Sequence, residues 1–163
     1  MKIASFFIGA LALILAGCVN PFAPELRGPT GKLWSDASDI GGLLENFKTA
    51  YELGDSLQYA DCLDERFQFK YFDVDLNRTE SWLRETDLRA TVRLFRSFRQ
   101  INLIWGQAPS GVEAIATPDS LVEFRIPFQL FLDELSPVIG FAHFIVEKPA
   151  GERFRIILWQ DDF

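Results

Sequence analysis

Apolar residues recur three and four positions apart in three stretches of the chain, which is the spacing of amphipathic helices. The first stretch begins at Ser38, beside the suitable cap Asp39, and ends at Gly54. The second runs from about Asp55 to Asp64, and the third from about Thr79 to Phe98. The residues predicted to be buried in the third helix are Leu88, Thr91, Val92, Phe95 and Phe98. The pattern therefore predicts three helices in the first two thirds of the chain.

Alternation of apolar and polar residues, the pattern of half-buried strands, marks the remaining segments. It occurs once between the second and third helices, at Phe67 to Tyr71, and then repeatedly after Phe98, with turn residues between the segments. The further predicted strands are Ile101–Gln107, Val112–Thr117, Val122–Leu132, Ile139–Lys148 and Arg153–Asp161. In the closing strand, one face is predicted to carry Phe154, Ile156 and Leu158, and the other Arg155 and Trp159.

The clearest alternation gives one long strand with an apolar face and a mostly polar face. The apolar face consists of Val122, Phe124, Ile126, Phe128, Leu130 and Leu132. Pro127 lacks a backbone donor, which predicts an edge position or a bulge near the middle of this strand. Phe131 interrupts the polar face, and we expect it at a dimer contact or beneath a neighbouring segment.

The order of elements predicts an α+β domain, with helices packed on one face of a curved antiparallel sheet. Three stretches support a closer assignment: Leu44–Tyr51, Phe67–Phe69 and Arg155–Asp161. The first stretch, followed by Asp55 and Tyr59, resembles the opening helices of the nuclear transport factor two-like superfamily, which includes ketosteroid isomerase and polyketide cyclase relatives. The other two resemble the first strand and the closing strand of that superfamily. The resemblance covers residues 38–163. It implies a cone-shaped domain with a pocket between the long helix and the concave sheet, and a homodimer formed through the outer face of the sheet.

The first residues have the features of an export signal. Lys2 gives a positive start, and Ile3–Ala16 is an apolar run too short to span a bilayer. The end of this run and the two residues after it, Leu15-Ala16-Gly17-Cys18, resemble the lipobox of bacterial lipoproteins. That resemblance implies cleavage before Cys18 and acylation of its thiol, so the bilayer becomes a partner through the lipid. An ordinary signal peptide with an incidental cysteine is the alternative.

The predicted organisation is a signal peptide at residues 1–17, a lipidated cysteine and flexible tether at 18–37, and the domain at 38–163. Several prolines and glycines interrupt the tether, although Trp34 has the character of a residue that docks on the domain. Val19 follows the cysteine, where an aspartate would retain an enterobacterial lipoprotein in the inner membrane. The expected location is therefore the outer membrane, facing the periplasm.

Charge and composition exclude several classes of function. The chain has 16 Lys and Arg against 23 Asp and Glu, a net charge of −7, which argues against a nucleic-acid partner. Two cysteines and one histidine cannot form a disulfide scaffold or the common zinc sites. No glycine-rich phosphate loop or nucleophile elbow occurs in the sequence, so we expect neither a cofactor nor a metal.

The candidates for chemistry are few. His143 shares strand parity with Phe141 and Ile145, so it could enter the conical pocket as a base, although a lone histidine among apolar residues is more often a hydrogen-bonded core residue. Cys62 could be a reactive thiol, although a lone cysteine on a short amphipathic helix is usually buried and inert. The candidate ligand-binding residues are Tyr51, Tyr71, Phe124, Phe128 and His143.

Five arginines of the third helix suggest phosphate binding or, more simply, a solvated helix face. The arginines are Arg84, Arg89, Arg93, Arg96 and Arg99, and the acids expected to balance them are Glu80, Glu85 and Asp87. The sequence as a whole favours a membrane-anchored, non-catalytic envelope lipoprotein that binds a small apolar molecule or another envelope protein. The alternative is a small-molecule isomerase, dehydratase or cyclase that uses His143.

Overall fold

The computed structural model describes residues 33–107 and 120–162, and Leu33–Phe163 forms one compact unit. The predicted signal peptide, Cys18 and the predicted strand Val112–Thr117 lie outside the described residues. Three helices are present in the described ranges: α1 (Ile40–Leu53), α2 (Ser56–Cys62) and α3 (Arg84–Ser97). None of the described helices is long and apolar enough to cross a membrane.

The boundaries of the first two helices follow the predicted caps. Asp39 accepts a hydrogen bond from the backbone of Gly42, and Asp55 accepts from Leu57 and Gln58. Gly54 ends α1 with φ 64°, a left-handed conformation that glycine adopts without steric cost. Local sequence therefore determines both ends of α1.

The predicted start of the third helix at Thr79 is wrong. Residues Arg78–Leu83 form a strand, β2, that pairs antiparallel with β1 (Leu63–Asp73) in the register Gln68↔Leu83 to Asp73↔Arg78. The strand is favoured because Trp82 stacks on Phe69 at 4.9 Å between ring centres. The helix begins only at Arg84.

The remaining strands are β3 (Ile101–Trp105), β4 (Ser120–Leu132), β5 (Val138–Lys148) and β6 (Arg155–Asp162). Together the six described strands form one curved sheet in the order β2-β1-β6-β5-β4-β3. Neighbouring strands are antiparallel except β1 and β6, which run parallel. The domain is α+β as predicted, but its sheet is mixed rather than wholly antiparallel.

Strand β4 confirms the predicted alternation. The side chains of Val122, Phe124, Ile126 and Phe128 are buried against the helices. Pro127 lies in an interior strand and not at an edge, and the β4–β5 register passes it without a bulge. The missing N–H of Pro127 costs no ladder hydrogen bond to β3, because β3 ends at Trp105. The carbonyl of Pro127 still accepts a hydrogen bond, from the N–H of Gly106 at 2.7 Å.

The bulge occurs instead in β6. Ile145 pairs with Leu158 while Val146 pairs with Ile156, so Ile157 is an extra residue on β6. An extra residue reverses the alternation beyond it. Trp159 consequently faces the helices and contacts Phe47, which corrects the predicted outward position of Trp159.

Residues 33–37, assigned to the tether from sequence, pack on the domain. Ser35 donates its N–H to Asn46 Oδ1 at 2.7 Å and accepts from Asn46 Nδ2 at 2.9 Å. Phe154 donates its N–H to the carbonyl of Ala37 at 2.9 Å. Trp34 packs against the core, as its residue type suggests. The compact unit thus starts before Ser38.

Candidate functional site

Two buried carboxylates lie on the helix-facing side of the sheet, among aromatic and hydroxyl side chains. Asp87 belongs to α3 and is 4% exposed, and Asp161 belongs to β6 and is 8% exposed. Neither forms a salt bridge with a described lysine, arginine or histidine. The residues around them are Tyr51, Tyr59, Trp82, Thr91 and Trp159. We call these five residues and the two acids the acid–aromatic cluster.

Asp87 is held by two aromatic donors. Tyr59 donates its hydroxyl to Asp87 Oδ2 at 2.6 Å, and Trp82 donates Nε1–H to Asp87 Oδ1 at 3.1 Å. These donors come from α2 and β2, so the carboxylate joins three elements. From sequence, Asp87 was expected to balance arginines at the surface. Its burial corrects that expectation.

Asp161 reaches the cluster because of the β6 bulge. If Ile157 occupied a regular position in the ladder, alternation along β6 would direct Asp161 to the opposite face. Trp159 donates Nε1–H to Asp161 Oδ1 at 2.5 Å, and the backbone of Asp161 pairs with Tyr71 of β1. Alternation read from the sequence cannot reveal this acid, because the bulge is set by pairing with β5.

Burial controls the ionisation of both acids. It raises the pKa of Asp161 to about 7, and the charges of Asp162 and Asp87 act in the same direction, while the Trp159 bond opposes them. Burial also raises the pKa of Asp87 above its usual range, against the effect of its bonds from Tyr59 and Trp82. Asp161 can therefore gain or lose a proton near neutral pH.

The two tyrosines remain neutral hydrogen-bonding groups. Burial raises the pKa of Tyr51 well above its ordinary value, and the charges of Asp87 and Asp161 raise it further. Burial likewise raises the pKa of Tyr59, with further contributions from Tyr51 and Asp87. Tyr51 lies close enough to both acids to sense their charge, so the cluster is one coupled unit.

Aromatic rings fill the part of the interior beside α1. Phe47 is fully buried, and its ring centre lies 5.0 Å from Tyr51, 5.3 Å from Tyr59 and 5.4 Å from Trp159. Further ring contacts join Phe47 to Trp105 and Phe144. This half of the cone is a packed core.

The half of the cluster beside β1 and β2 is more accessible. Tyr71 and Trp82 are half-buried, and their ring centres are 5.1 Å apart. A groove of about 810 Å³ passes Trp82 between β1 and the start of α3, with Phe67 and Leu83 among its lining residues. Of the cluster, Trp82 lines this groove, whereas Asp87 and Asp161 do not.

His143 does not enter the cone. The core face of β5 carries Ala142, Phe144 and Val146, all fully buried, so His143 lies on the opposite face. There its Nε2 lies 2.7 Å from Oε1 of Glu123. The expected position of His143 in a conical pocket is wrong, because the parity it shares with Phe141 and Ile145 is that of the outer face.

The other candidates from sequence divide between the core and the cluster. Phe124 and Phe128 are buried core residues, whereas Tyr51 belongs to the cluster and Tyr71 borders it. Cys62 is buried, and burial together with the charge of Asp61 raises the pKa of its thiol to about 12. The reactive thiolate is thus strongly disfavoured.

The expected balance of charge around α3 is realised only at Glu85 among the three acids expected to supply it. Asp87 is buried, and Glu80 pairs with Arg78. Glu85 pairs with Arg89, which leaves Arg93 and Arg96 without a salt bridge in the described chain. Over the same residues, no group of three or more His, Cys, Asp or Glu side chains could hold a metal ion.

No protein-family model matches the sequence, and no curated protein matches it. Solved structures do share its fold. A variant of the protein Rv3472 of Mycobacterium tuberculosis, of unknown function, has a TM-score of 0.58 and 15% identity over 76% of this chain and 68% of that chain. A candidate dehydratase of the nuclear transport factor two-like family from Streptomyces avermitilis has a TM-score of 0.56 and 12% identity over 78% and 97%.

Bd1075 of Bdellovibrio bacteriovorus has a TM-score of 0.57 and 15% identity over 75% of this chain. This chain spans only 38% of the length of Bd1075. At such identities the similarity establishes the fold alone. The domain has the nuclear transport factor two-like fold, an architecture that carries many unrelated functions.

Proposed function

We propose that this chain is a lipoprotein of the bacterial envelope, acylated at Cys18, whose domain binds a small apolar molecule without transforming it. The anchor, the location at the outer membrane facing the periplasm, and the ligand are all parts of this proposal. The observation that carries the binding role is the burial of Asp87 and Asp161 among aromatic rings without a cationic partner in the described chain.

Burying two carboxyl groups opposes folding, because each must leave water. A domain needing only a packed interior would be more stable with apolar side chains at both positions. Buried acids with shifted pKa values are enriched at functional sites for this reason. Carboxylate oxygens accept hydrogen bonds, and the rings of Tyr71, Trp82 and Trp159 favour apolar surface. The cluster therefore suits an apolar molecule that carries a hydroxyl or amide donor.

A pair of probes tests this selectivity. We expect 2-naphthol, which has a hydroxyl donor, to quench the fluorescence of Trp82 and Trp159 at lower concentrations than 2-methoxynaphthalene, which has none. Asp161→Asn should remove most of the difference between the probes. Asp162→Asn is the matched control, since Asp162 pairs with Arg125 and is 42% exposed. Equal binding of both probes to the wild type would contradict the proposal.

Acid–base chemistry on the bound molecule is the second candidate function. It is favoured by the pKa of Asp161, which burial raises to about 7, so that this carboxyl can accept or donate a proton at neutral pH. In this second candidate function, Asp161 takes the place of His143 as the proton-transferring residue. Turnover of a bound ketone or alcohol that disappears in Asp161→Asn, with binding retained, would favour catalysis over simple binding.

The anchor has its own experiment. Wild-type protein should partition with membranes and carry acyl groups on an N-terminal Cys18, because two or more acyl chains hold a protein firmly in a bilayer. Cys18→Ser should remain unprocessed or become soluble. Mass spectrometry of the mature N-terminus distinguishes these results. A soluble wild-type protein that begins at another residue would refute the lipoprotein assignment.

The outer face of the sheet supports self-association as a further part of the proposal. Leu121, Ile139 and Phe141 are 65%, 60% and 44% exposed there. The polar side chains beside them already have partners, since Glu123 Oε1 lies 2.7 Å from His143 Nε2 and Arg125 pairs with Asp162. Sedimentation should show a dimer that Phe141→Glu disrupts and that Val74→Glu, at an exposed hairpin position, leaves intact. A monomeric wild type at high concentration would exclude the dimer.

A further inference from the structure

Helix α3 concentrates positive charge on an acidic protein. The segment from Leu88 to Gln107 contains Arg89, Arg93, Arg96 and Arg99 and no acidic residue, in a chain whose net charge is −7. All four arginines are exposed. Asp87 is buried and Glu85 pairs with Arg89, which leaves Arg93 and Arg96 without a salt bridge among the described residues, so this helix face has a locally positive potential.

The arginines surround an apolar strip. Leu88 and Val92, one helical turn apart, are half-buried at the surface of α3. Together with Arg93, Arg96 and the Glu85–Arg89 ion pair at its end, they line a shallow groove of about 350 Å³. A helix face with apolar residues between basic ones has the composition of helices that lie in the interface plane of a bilayer.

We infer that this face of α3 binds the surface of an anionic phospholipid bilayer. The guanidinium groups of Arg93 and Arg96 contact lipid phosphates, and Leu88 and Val92 approach the acyl boundary. Arginine suits this contact because its planar fork donates to two phosphate oxygens at once. The net negative charge of the protein repels the bilayer only weakly, since charges more than about 10 Å from the surface are largely screened at physiological salt.

A bilayer is favoured over an acidic protein partner because of the chain that precedes the domain. This step rests on the proposed acylation of Cys18, which would keep the domain beside a membrane. Fourteen residues lie between Cys18 and Leu33, where the compact unit begins, and a chain of that length with random-coil dimensions spans about 20 Å. An anchored domain would stay near the headgroups, and the bilayer is the anionic surface present at highest local concentration.

Vesicle binding by the isolated domain tests the inference without the acyl group. The unit Leu33–Phe163 contains the whole described core, so it is suited to separate production. We expect it to sediment with vesicles of phosphatidylcholine and phosphatidylglycerol (3:1), and not with phosphatidylcholine alone. Binding should be lost in 0.5 M NaCl, because salt screens contacts between exposed charges.

Matched arginine variants locate the binding face. Each basic residue at an anionic surface increases partitioning about fivefold, so Arg93→Gln with Arg96→Gln should weaken binding about 25-fold. The control is Arg66→Gln with Arg78→Gln, which removes the same charge from exposed arginines that pair with Asp64, Glu147 and Glu80. It should change binding less than threefold. Circular dichroism confirms that both double variants remain folded.

Three results would overturn the inference: no binding of the wild-type domain to phosphatidylglycerol vesicles, equal weakening by the two double variants, or binding to poly-L-glutamate without binding to vesicles. The last result would assign the face to an acidic protein. Failure of the acylation proposal would give a different result. The full chain would then carry no fatty acid, while the isolated domain would still bind anionic vesicles.

Discussion

The hydroxyl of Tyr59 on α2 donates a 2.6 Å hydrogen bond to Oδ2 of Asp87 on α3, across 28 residues of sequence, inside an aromatic interior. The bond joins a fully buried phenol to a buried carboxyl group. Burial opposes ionisation of Asp87, and this bond partly compensates by stabilising the carboxylate. The contact therefore supports both the packing of α2 on α3 and the charge of the candidate site.

Tyr59→Phe should destabilise the domain by about 1–3 kcal/mol, because it removes a donor from a buried carboxylate and leaves the ring in place. Tyr71→Phe is the control, since Tyr71 is only half-buried, and its effect should stay within about 0.5 kcal/mol. Urea denaturation measures both. Equal losses in the two variants would mean that the Tyr59–Asp87 bond contributes little.

Stability should fall as the pH rises from 5 to 8. The pKa of Asp161 is about 7 in the folded domain, whereas an unfolded aspartate titrates near pH 4. Between these values the folded state holds a proton that the unfolded state has released, so a higher pH favours unfolding. The contribution of Asp161 is on the order of 2–4 kcal/mol, is fully present below about pH 4 and is lost above about pH 7.

Asp161→Asn should flatten this pH dependence, because an amide does not titrate, while Asp162→Asn should only reduce it, because burial raises the pKa of Asp161 more than the charge of Asp162 does. Urea denaturation at several pH values gives the slope for each protein. An Asp161→Asn variant with the wild-type slope would show that another group carries the proton. The raised pKa of Asp87 acts in the same direction and should leave a smaller residual slope.

Local rules predicted the elements that depend on local chemistry. The caps Asp39 and Gly54 and the buried face of β4 follow from side-chain type and spacing. The start of α3 did not follow, because β2 exists only through its pairing with β1 and the stacking of Trp82 on Phe69. Helical spacing read from sequence cannot detect a strand partner.

The candidate site was largely hidden for the same reason. Tyr51 and Tyr71 were identified as ligand candidates, and they lie in or beside the cluster. Both acids were missed: Asp87 has the sequence context of a solvated helix residue, and Asp161 reaches the interior only through an extra residue in β6. The prediction for His143 was wrong because alternation along β5 defines two faces and does not identify the face that packs on the helices.

Deletion of Ile157 should test the role of the bulge. Removing this extra residue leaves a regular ladder in which Ile156, Trp159 and Asp161 keep their partners on β5 and their face toward the helices. We therefore expect the deletion to leave tryptophan emission unchanged and to cost less than the loss of a large core side chain, about 3 kcal/mol. Ile157→Ala, which keeps the extra residue, is the control. A red shift of tryptophan emission in the deletion variant would show that β6 pairs in another register.

Phe124→Ala or Phe128→Ala should destabilise the domain by about 3–5 kcal/mol, since both side chains are buried in the core. Gln129→Ala, on the exposed face of the same strand, should remain within about 0.5 kcal/mol. Chemical denaturation compares the classes. Similar losses at Gln129 and Phe128 would mean that the orientation of β4 is reversed.

The position of β6 also determines when the domain can fold. It is the last strand in sequence among those described, yet it lies between β1 and β5 and connects the β1–β2 hairpin to the other strands. A nascent chain that stops before Arg155 has two separate groups of strands, and the parallel pairing of β1 must wait for residues about 90 positions later. Folding of the described sheet therefore completes only after β6 has left the ribosome.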